Sequence, residues 1–473
     1  MKIHVVQYGE NLWLISQKYG AAINQIVSLN LLPDANKLLP GEALMIPEPS
    51  KEYVVSRGDT LYSIAQKTNS DFNELQRINQ ISNPDAIYPG EFLILPSFPY
   101  TIQSGDNLWK ISQKFGVPLQ SLFEMNALNQ NSILYAGQQI KIPAHERPEA
   151  EVNAYTTSTT DSEQQKVQQL SQYFTYLSPF THAVTKEGTI TTLGNKNDQI
   201  LIPAAKSNQA ATLLVLTNFA NGKFDSDLAA AILRDPALQD KLIGNILTEL
   251  RKGYSGVNFD FEYVNPEDRD NYSAFLKKVV SKLHPEGFSV STALAPKLKA
   301  DQKGLLYEAH DYKAQGQIVD FIVLMTYEWG WAGGPPLAIA PINEVRKVLD
   351  YAVTVIPSNK IMMGAPLYGR DWKIPWKKGT IARTISPIDA RKLAVRYNVP
   401  IKYNYTYESP YFRYTDESGQ QHEVWFEDAR SMKVKMDTVK IYQLRGISYW
   451  ELANEFPQNW TVQRNAFRVK KLL

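Results

Sequence analysis

Asp260 and Glu262 stand two residues apart in the run Ser255-Gly256-Val257-Asn258-Phe259-Asp260-Phe261-Glu262. Apolar Val257, Phe259 and Phe261 alternate with polar Asn258, Asp260 and Glu262, which is the two-residue period of a β-strand. On a strand reaching Glu262 both carboxylates share one face, with roughly 6.5 Å between their α-carbons. Other apolar strands surround the run in sequence, so its polar face is predicted to line a cleft. Paired carboxylates in a cleft suit glycosidic-bond hydrolysis. An acid and a nucleophile on opposite sides of the anomeric carbon stand about 5–5.5 Å apart, a geometry that neighbours on one strand serve poorly. Substrate assistance fits better: Glu262 protonates the leaving oxygen while the sugar's own acetamido oxygen attacks.

The elements that must hold these groups follow from the rest of the chain. Its 473 residues exceed one hydrophobic core, so at least two domains are expected. A composition of 44% hydrophobic and 21% charged residues is that of a globular protein, and a net charge of +2 favours neither nucleic acid nor an anionic membrane. Cysteine is absent, which excludes disulfides and thiolate metal sites. His4, His145, His182, His284, His310 and His422 show no metal-ligand spacing. No metal or cofactor is therefore expected. No apolar run is long enough to span a bilayer, and the start of the chain carries no apolar core of a signal peptide.

The first third repeats itself. Gly9-Glu10-Asn11-Leu12-Trp13, Gly58-Asp59-Thr60-Leu61-Tyr62 and Gly105-Asp106-Asn107-Leu108-Trp109 align. Asn30, Asn79 and Asn126 follow, then Pro40-Gly41, Pro89-Gly90 and Ala136-Gly137, and each unit closes with an apolar residue and proline. Three tandem modules of strand, helix, helix and strand are predicted over 2–48, 52–97 and 99–144. Residues 145–151 read as a linker.

From Val152 apolar strands alternate with helical stretches. Strands are predicted at Val152–Tyr155, Phe174–Leu177, Thr212–Thr217, Gly256–Glu262, Ser289–Ala295, Phe321–Tyr327, Lys360–Pro366 and Gly446–Trp450. Eight strands with helical connections fit an α/β fold, the (β/α)8 barrel, over 152–473. The aromatic-rich stretch from Ile401 to Trp425, with a turn at Glu417-Ser418-Gly419, predicts a hairpin within a small β-rich insertion at about 371–425.

The modules resemble the LysM domain, a small βααβ unit that binds N-acetylglucosamine-containing glycans. That resemblance implies a sugar groove between the first turn and the loop before the last strand. Its residues would be Gly9, Asn11 and Leu12; Gly58, Asp59, Thr60 and Leu61, with Ile87, Tyr88 and Pro89; and Gly105, Asp106, Asn107 and Leu108. For Leu61 and Tyr62 a place in the core is at least as plausible, and Asp59 reads equally as a cap.

The run ending in Glu262 resembles the D-G-x-D-x-D-x-E signature of family 18 glycoside hydrolases. The resemblance makes Glu262 the acid/base and Asp260 the carboxylate that orients the acetamido group. The two earlier acidic positions are Ser255 and Asn258 here. Asn258 can hydrogen-bond to Asp260 but cannot exchange a proton with it. Met325-Thr326-Tyr327-Glu328 resembles the sixth-strand motif, where the Tyr327 hydroxyl would hold the acetamido group; the family often has aspartate where Glu328 stands. Ala365-Pro366-Leu367-Tyr368-Gly369-Arg370 and Gly446-Ile447-Ser448-Tyr449-Trp450-Glu451 match the seventh- and eighth-strand motifs. Met325, Glu328, Tyr368 and Arg370 are thus substrate-binding candidates, and Trp450 would floor the sugar subsite. A plain aromatic core for Tyr327 and Trp450, and a structural ion pair for Arg370, are the competing readings.

LysM modules ahead of such a barrel resemble the spore-cortex-lytic enzymes of bacilli. The resemblance implies an N-acetylglucosaminidase that cuts cortex peptidoglycan after N-acetylglucosamine, made in the mother-cell cytoplasm and associated with spore or cell wall. A chitinase acting on chitin oligosaccharides by the same chemistry is one alternative. A glycan-binding lectin is another, and intact Glu262 opposes it.

Overall fold

The computed structural model describes residues 2–472 except Pro33, Pro49, Ser50, Ala86, Gly90, His145, Glu146 and Asn195. Gly90 of the second Pro-Gly turn, and His145 and Glu146 of the expected linker, thus lie outside the described residues. The chain divides into two compact units, 1–149 with 457–468, and 150–456 with 469–473.

In the first unit three strand pairs recur, each antiparallel: Lys2–Val5 with Ala43–Ile46, Glu52–Val54 with Phe92–Ile94, and Ser97–Thr101 with Gln139–Pro143. Two short helices join each pair, Leu12–Tyr19 and Ile23–Asn30 in the first copy. The side chains of Asn11, Thr60 and Asn107 cap the leading helices by accepting from Leu14, Ser63 and Lys110 N–H at 3.0, 3.0 and 2.8 Å. The repeated asparagines close each module. Asn30 accepts from Met45 N–H at 2.8 Å and donates to Met45 C=O at 2.8 Å; Asn79 pairs in the same way with Ile94, and Asn126 with Lys141. One side-chain amide thus acts as a further strand residue. The chain's last helix, Pro457–Ala466, packs in this unit, where Gln458 donates to the Asn30 Oδ1 at 3.0 Å and buried Arg464 pairs with Glu91 at 3.1 Å. No motif marks that helix, so sequence alone assigned it to the barrel.

The second unit is a closed eight-stranded parallel barrel. Its strands are Glu149–Thr156, Tyr176–Pro179, Ala211–Thr217, Gly256–Asp260, Ser289–Leu294, Phe321–Leu324, Ile361–Pro366 and Gly446–Trp450, and the eighth pairs back onto the first with Gly446 opposite Glu151. The (β/α)8 expectation holds for every strand. Its fourth strand stops at Asp260 and its sixth at Leu324, two and three residues short of the predicted ends, because the chain there leaves the ladder for other partners.

Alternation along the fourth strand works as expected. Phe259 and Phe261 point outward onto the covering helix, where Phe259 meets Phe275 at 5.4 Å and Phe261 stacks on Tyr272 at 5.7 Å. Burying each such ring stabilises by about 1.5–3 kcal/mol, which holds the opposite, polar face at the barrel mouth. After the seventh strand comes a five-stranded antiparallel sheet in the order Arg383–Ile385, Gly369–Ile374, Gln421–Trp425, Ser409–Thr415, Lys402–Asn404, with helix Pro387–Arg396. It contains the expected hairpin, Ser409–Thr415 against Gln421–Trp425.

Candidate active site

Asn258 and Asp260 project from the fourth strand into the top of the barrel. The Tyr155 hydroxyl donates to Asn258 Oδ1 at 2.8 Å, and Asn258 Nδ2 donates to Ser291 Oγ at 2.9 Å. Both ends of the Asn258 amide are therefore committed to strands one and five. Asp260 is 4% exposed, and its Oδ1 has no hydrogen-bond partner within the protein. Burial without a compensating cation pushes its carboxyl up to about 7. The hydrogen bond that Asn258 was expected to offer Asp260 goes to its strand neighbours instead.

Glu262 lies just beyond the strand. The third strand pairs with the fourth as far as Thr217 opposite Asp260, and its chain then turns away. The side chain of Asn218 takes over the ladder: Oδ1 accepts from Glu262 N–H at 3.0 Å, and Nδ2 donates to Glu262 C=O at 2.8 Å. On the other side His310 Nδ1 accepts from Ala295 N–H at 2.9 Å, which leaves the proton on Nε2 to donate to Phe261 C=O at 2.9 Å. Burial lowers this imidazole to about 4, so it is held neutral. Tyr263 then takes a left-handed φ of 54°, ending the extended run. Burial, and then the charges of Asp260 and Glu328, push the Glu262 carboxyl well above its ordinary range, although the side chain keeps an edge open to solvent.

Past the sixth strand, Thr326 Oγ1 donates to Gly364 C=O at 2.7 Å and sets the loop that carries Tyr327 and Glu328. Gly364 is a packing requirement: a Cβ there would lie 2.8 Å from the Tyr327 ring and 2.5 Å from Leu324 O. Tyr327 is partly buried beside Trp450 at the rim of an aromatic cluster that includes Tyr368, Trp372 and Trp425. Burial, with Tyr155 and Asp260 nearby, raises its hydroxyl well above the ordinary value, so it stays a donor. Trp450 sits between Tyr155 and Phe180, each ring centroid 5.4 Å away. Met325 packs on the barrel interior. Glu328 accepts from the Tyr368 hydroxyl and from Arg370 Nη2, the latter at 2.6 Å, while Arg370 Nη1 donates to Thr384 Oγ1 at 2.6 Å. Arg370 is thus an ion-pair partner that fixes Glu328 and ties the inserted sheet to the barrel rim.

The structure accordingly brings Asp260, Glu262, Tyr327, Glu328, Tyr368, Arg370 and Trp450 to the C-terminal ends of strands four, six, seven and eight. Chemically this is an acid whose protonated form burial favours, beside a buried carboxyl without a partner, with a neutral phenol and an indole. It can donate a proton and stabilise a developing cation. Sequence reasoning missed Tyr155, Asn218, His310 and Gly364. Asn218 left a signal, an amide directly after the apolar run 211–217; His310 left none. Among the described residues no cluster of three or more His, Cys, Asp or Glu is arranged to hold a metal ion. No helix among them is long and apolar enough to cross a membrane.

In the first unit the candidate glycan residues separate by role. Leu12, Leu61 and Leu108 are buried in the module cores. Asp59 and Asp106 close their own turns, accepting from Ser56 and Gln103 N–H, each at 2.8 Å. Gly9, Gly58 and Gly105 sit in those turns at φ of 81°, 87° and 86°. The next position after each buried leucine is an open aromatic: Trp13, Tyr62 and Trp109 are 60%, 62% and 62% exposed. Tyr62 is therefore surface, not core.

The model of glycosyl hydrolases family 18 matches residues 151–455, and that of the LysM domain matches 4–47, 53–96 and 100–143. A cortical fragment-lytic enzyme of Bacillus anthracis is 48% identical over 304 residues, 64% of this chain and 70% of that protein. The putative sporulation-specific glycosylase YdhD of Bacillus subtilis is 33% identical over 474 residues, 100% of each chain. The crystal structure of the Bacillus cereus spore cortex-lytic enzyme SleL superposes with a TM-score of 0.78 at 39% identity, over 99% of this chain and 98% of that one.

Removing the Asn218 amide leaves the Glu262 N–H and C=O unpaired, at about 1–3 kcal/mol for a buried group. Asn218→Ala is expected to lower turnover about tenfold or more with KM little changed, at a temperature where circular dichroism shows it folded. Unchanged turnover in a destabilised variant would limit Asn218 to stability.

Proposed function

As the chain belongs to glycosyl hydrolase family 18 and carries three LysM domains, we propose that it hydrolyses spore-cortex peptidoglycan at the bond following N-acetylglucosamine. The observation that carries this reading is the buried Asp260 oxygen without a partner, next to an acid whose protonated form burial favours. An acetamido N–H is the donor that oxygen lacks. Bound there, the acetamido carbonyl oxygen is turned toward C1, with the Tyr327 hydroxyl donating to it and the pyranose face on Trp450.

Glu262 then gives its proton to the glycosidic oxygen, the C1–O bond breaks, and the acetamido oxygen bonds to C1. Asp260 as an anion balances the charge of the resulting oxazolinium. Water then adds to C1 from the opened side as the C1–O bond to the acetamido oxygen breaks and the acetamido group is restored; the water's proton returns to Glu262, and the anomeric configuration is retained. The sugar on the non-reducing side of the cut must keep its N-acetyl group. Relatives named as cortical fragment-lytic enzymes support cortex as the substrate, and wall association through the LysM modules follows from that assignment.

Glu262→Gln is expected to abolish product formation while glycan binding persists, because the leaving oxygen loses its proton donor. Mass spectrometry of digested cortex fragments should show new reducing-end N-acetylglucosamine with wild type and none with the variant. New reducing-end muramic acid, or equal turnover by both proteins, would overturn the assignment; product from chitin oligosaccharides alone would make the protein a chitinase.

Trp13, Tyr62 and Trp109 offer pyranose-stacking faces on three linked modules, whose weak sites combine by avidity. Replacing all three by alanine should weaken retention on insoluble cortex about tenfold or more and leave turnover of soluble fragments unchanged. A pull-down beside a soluble assay checks this, and equal loss in both would contradict it.

A further inference from the structure

A second concavity lies on the same face of the barrel as the carboxylates. It is a groove of about 670 Å³ between helix Asp161–Leu170, the segment after the eighth strand, and the inserted subdomain. These three pieces follow the C-terminal ends of strands one, eight and seven, the same end of the barrel that carries the carboxylates. A bonded chain links the two: Thr384 lines the groove, accepts from Arg370, and Arg370 holds Glu328 in the cleft.

The lining is cationic. Lys166, Arg383, Lys392 and Arg396 face Asp389 and Glu455, four positive charges against two negative. The cations come from both walls, Lys166 from the barrel and the others from the insertion. Each is ion-paired with a carboxylate, Lys166 with Glu163 at 3.0 Å, Arg383 with Asp371 at 2.9 Å, Lys392 with Asp389 at 3.0 Å, and Arg396 with Glu417, and Lys166 and Arg383 also lie near Glu451 and Asp389. The side chains of Arg383, Lys392 and Arg396 are 62%, 57% and 64% exposed. Exposed pairs of this kind contribute little, so a ligand carboxylate can share the cations at small cost.

We infer that this groove binds the carboxylate carried by a muramic-acid substituent on the sugar next to the one being cut. The inference rests on the proposed peptidoglycan reading. In that alternating polymer every N-acetylglucosamine has a muramic residue as its neighbour, and each muramic residue not closed into a lactam bears a lactyl carboxylate or an acidic peptide at O3. A sugar seated over Trp450 therefore brings an anion to the rim of the cleft. Chitin is uncharged and gains nothing from the groove. The cations thus discriminate wall glycan from chitin on one catalytic centre, chiefly through charge and in a salt-dependent manner.

The test uses the full chain and a Lys392→Gln/Arg396→Gln variant on three substrates: peptide-bearing cortex fragments, the same fragments stripped of peptide by an amidase, and chitin oligosaccharides. The variant is expected to lose about fivefold in kcat/KM on peptide-bearing fragments and to match wild type on chitin oligosaccharides. Loss on both anionic substrates assigns the lactyl carboxylate; loss only on the peptide-bearing one assigns the peptide. Equal effects on charged and neutral substrates would overturn the inference. The same substitutions placed on Glu262→Gln, with fragment affinity measured by calorimetry, separate the groove from turnover. A lower affinity for anionic fragments supports it, and an unchanged affinity sinks it even if the hydrolytic reading is wrong.

Discussion

The architecture of the second unit turns on one unfavourable arrangement, a buried carboxyl and a second, partly buried one at the barrel mouth without a cation between them. Asp260 and Glu262 are both displaced upward, chiefly by burial, and Asp260 adds to the displacement of Glu262. Left alone, such a pair would admit water or unfold locally. It is held because the outward residues of the same strand, Phe259 and Phe261, are locked into the aromatic layer beneath the helices. The apolar half of the strand thereby offsets what the polar half costs. That cost is also what gives the site its chemistry, since an acid in water at neutral pH has no proton to give.

The same device solves two problems in this chain. A side-chain amide carries a donor and an acceptor side by side, as one edge of a peptide does. In the LysM modules Asn30, Asn79 and Asn126 use it to close the small domain onto its last strand. In the barrel Asn218 uses it to carry the ladder one residue past the point where the third strand departs, and so fixes Glu262. With His310 on the other side, the acid stands on backbone held from both flanks while its carboxyl stays at the edge of the cleft.

Much of this was legible from residues alone, and the reasons differ by feature. Alternation at Val257–Glu262 gave the facing of both carboxylates, and three repeats gave the modules, because local period and turn chemistry survive any tertiary context. Strand ends were less legible: Glu262 and Tyr327 sit in loops that Asn218, His310 and Thr326 position, Asn218 and Thr326 through partners 44 and 38 residues away in sequence. Leu61 and Tyr62 look equivalent in composition, yet one is core and the other surface, a choice made by helix phase. The pairing of Arg370 with Glu328 joins two strands' motifs, so neither motif carried it.

The unpaired burial of Asp260 is the feature on which the chemistry of the site most directly depends. A carboxyl raised from about 3.9 in the unfolded chain to about 7 in the fold holds its proton in the native state across that window while the unfolded chain has lost it. Its stabilising contribution is therefore complete below the lower value and disappears as pH rises through the upper one. The decisive measurement is denaturant unfolding of wild type and Asp260→Asn between pH 4 and 8.5. Near-equal stability at the acid end and a growing advantage for the variant, a few kcal/mol by the alkaline end, are expected. A difference that stays constant with pH, or a wild type that gains relative to the variant as pH rises, would contradict that expectation.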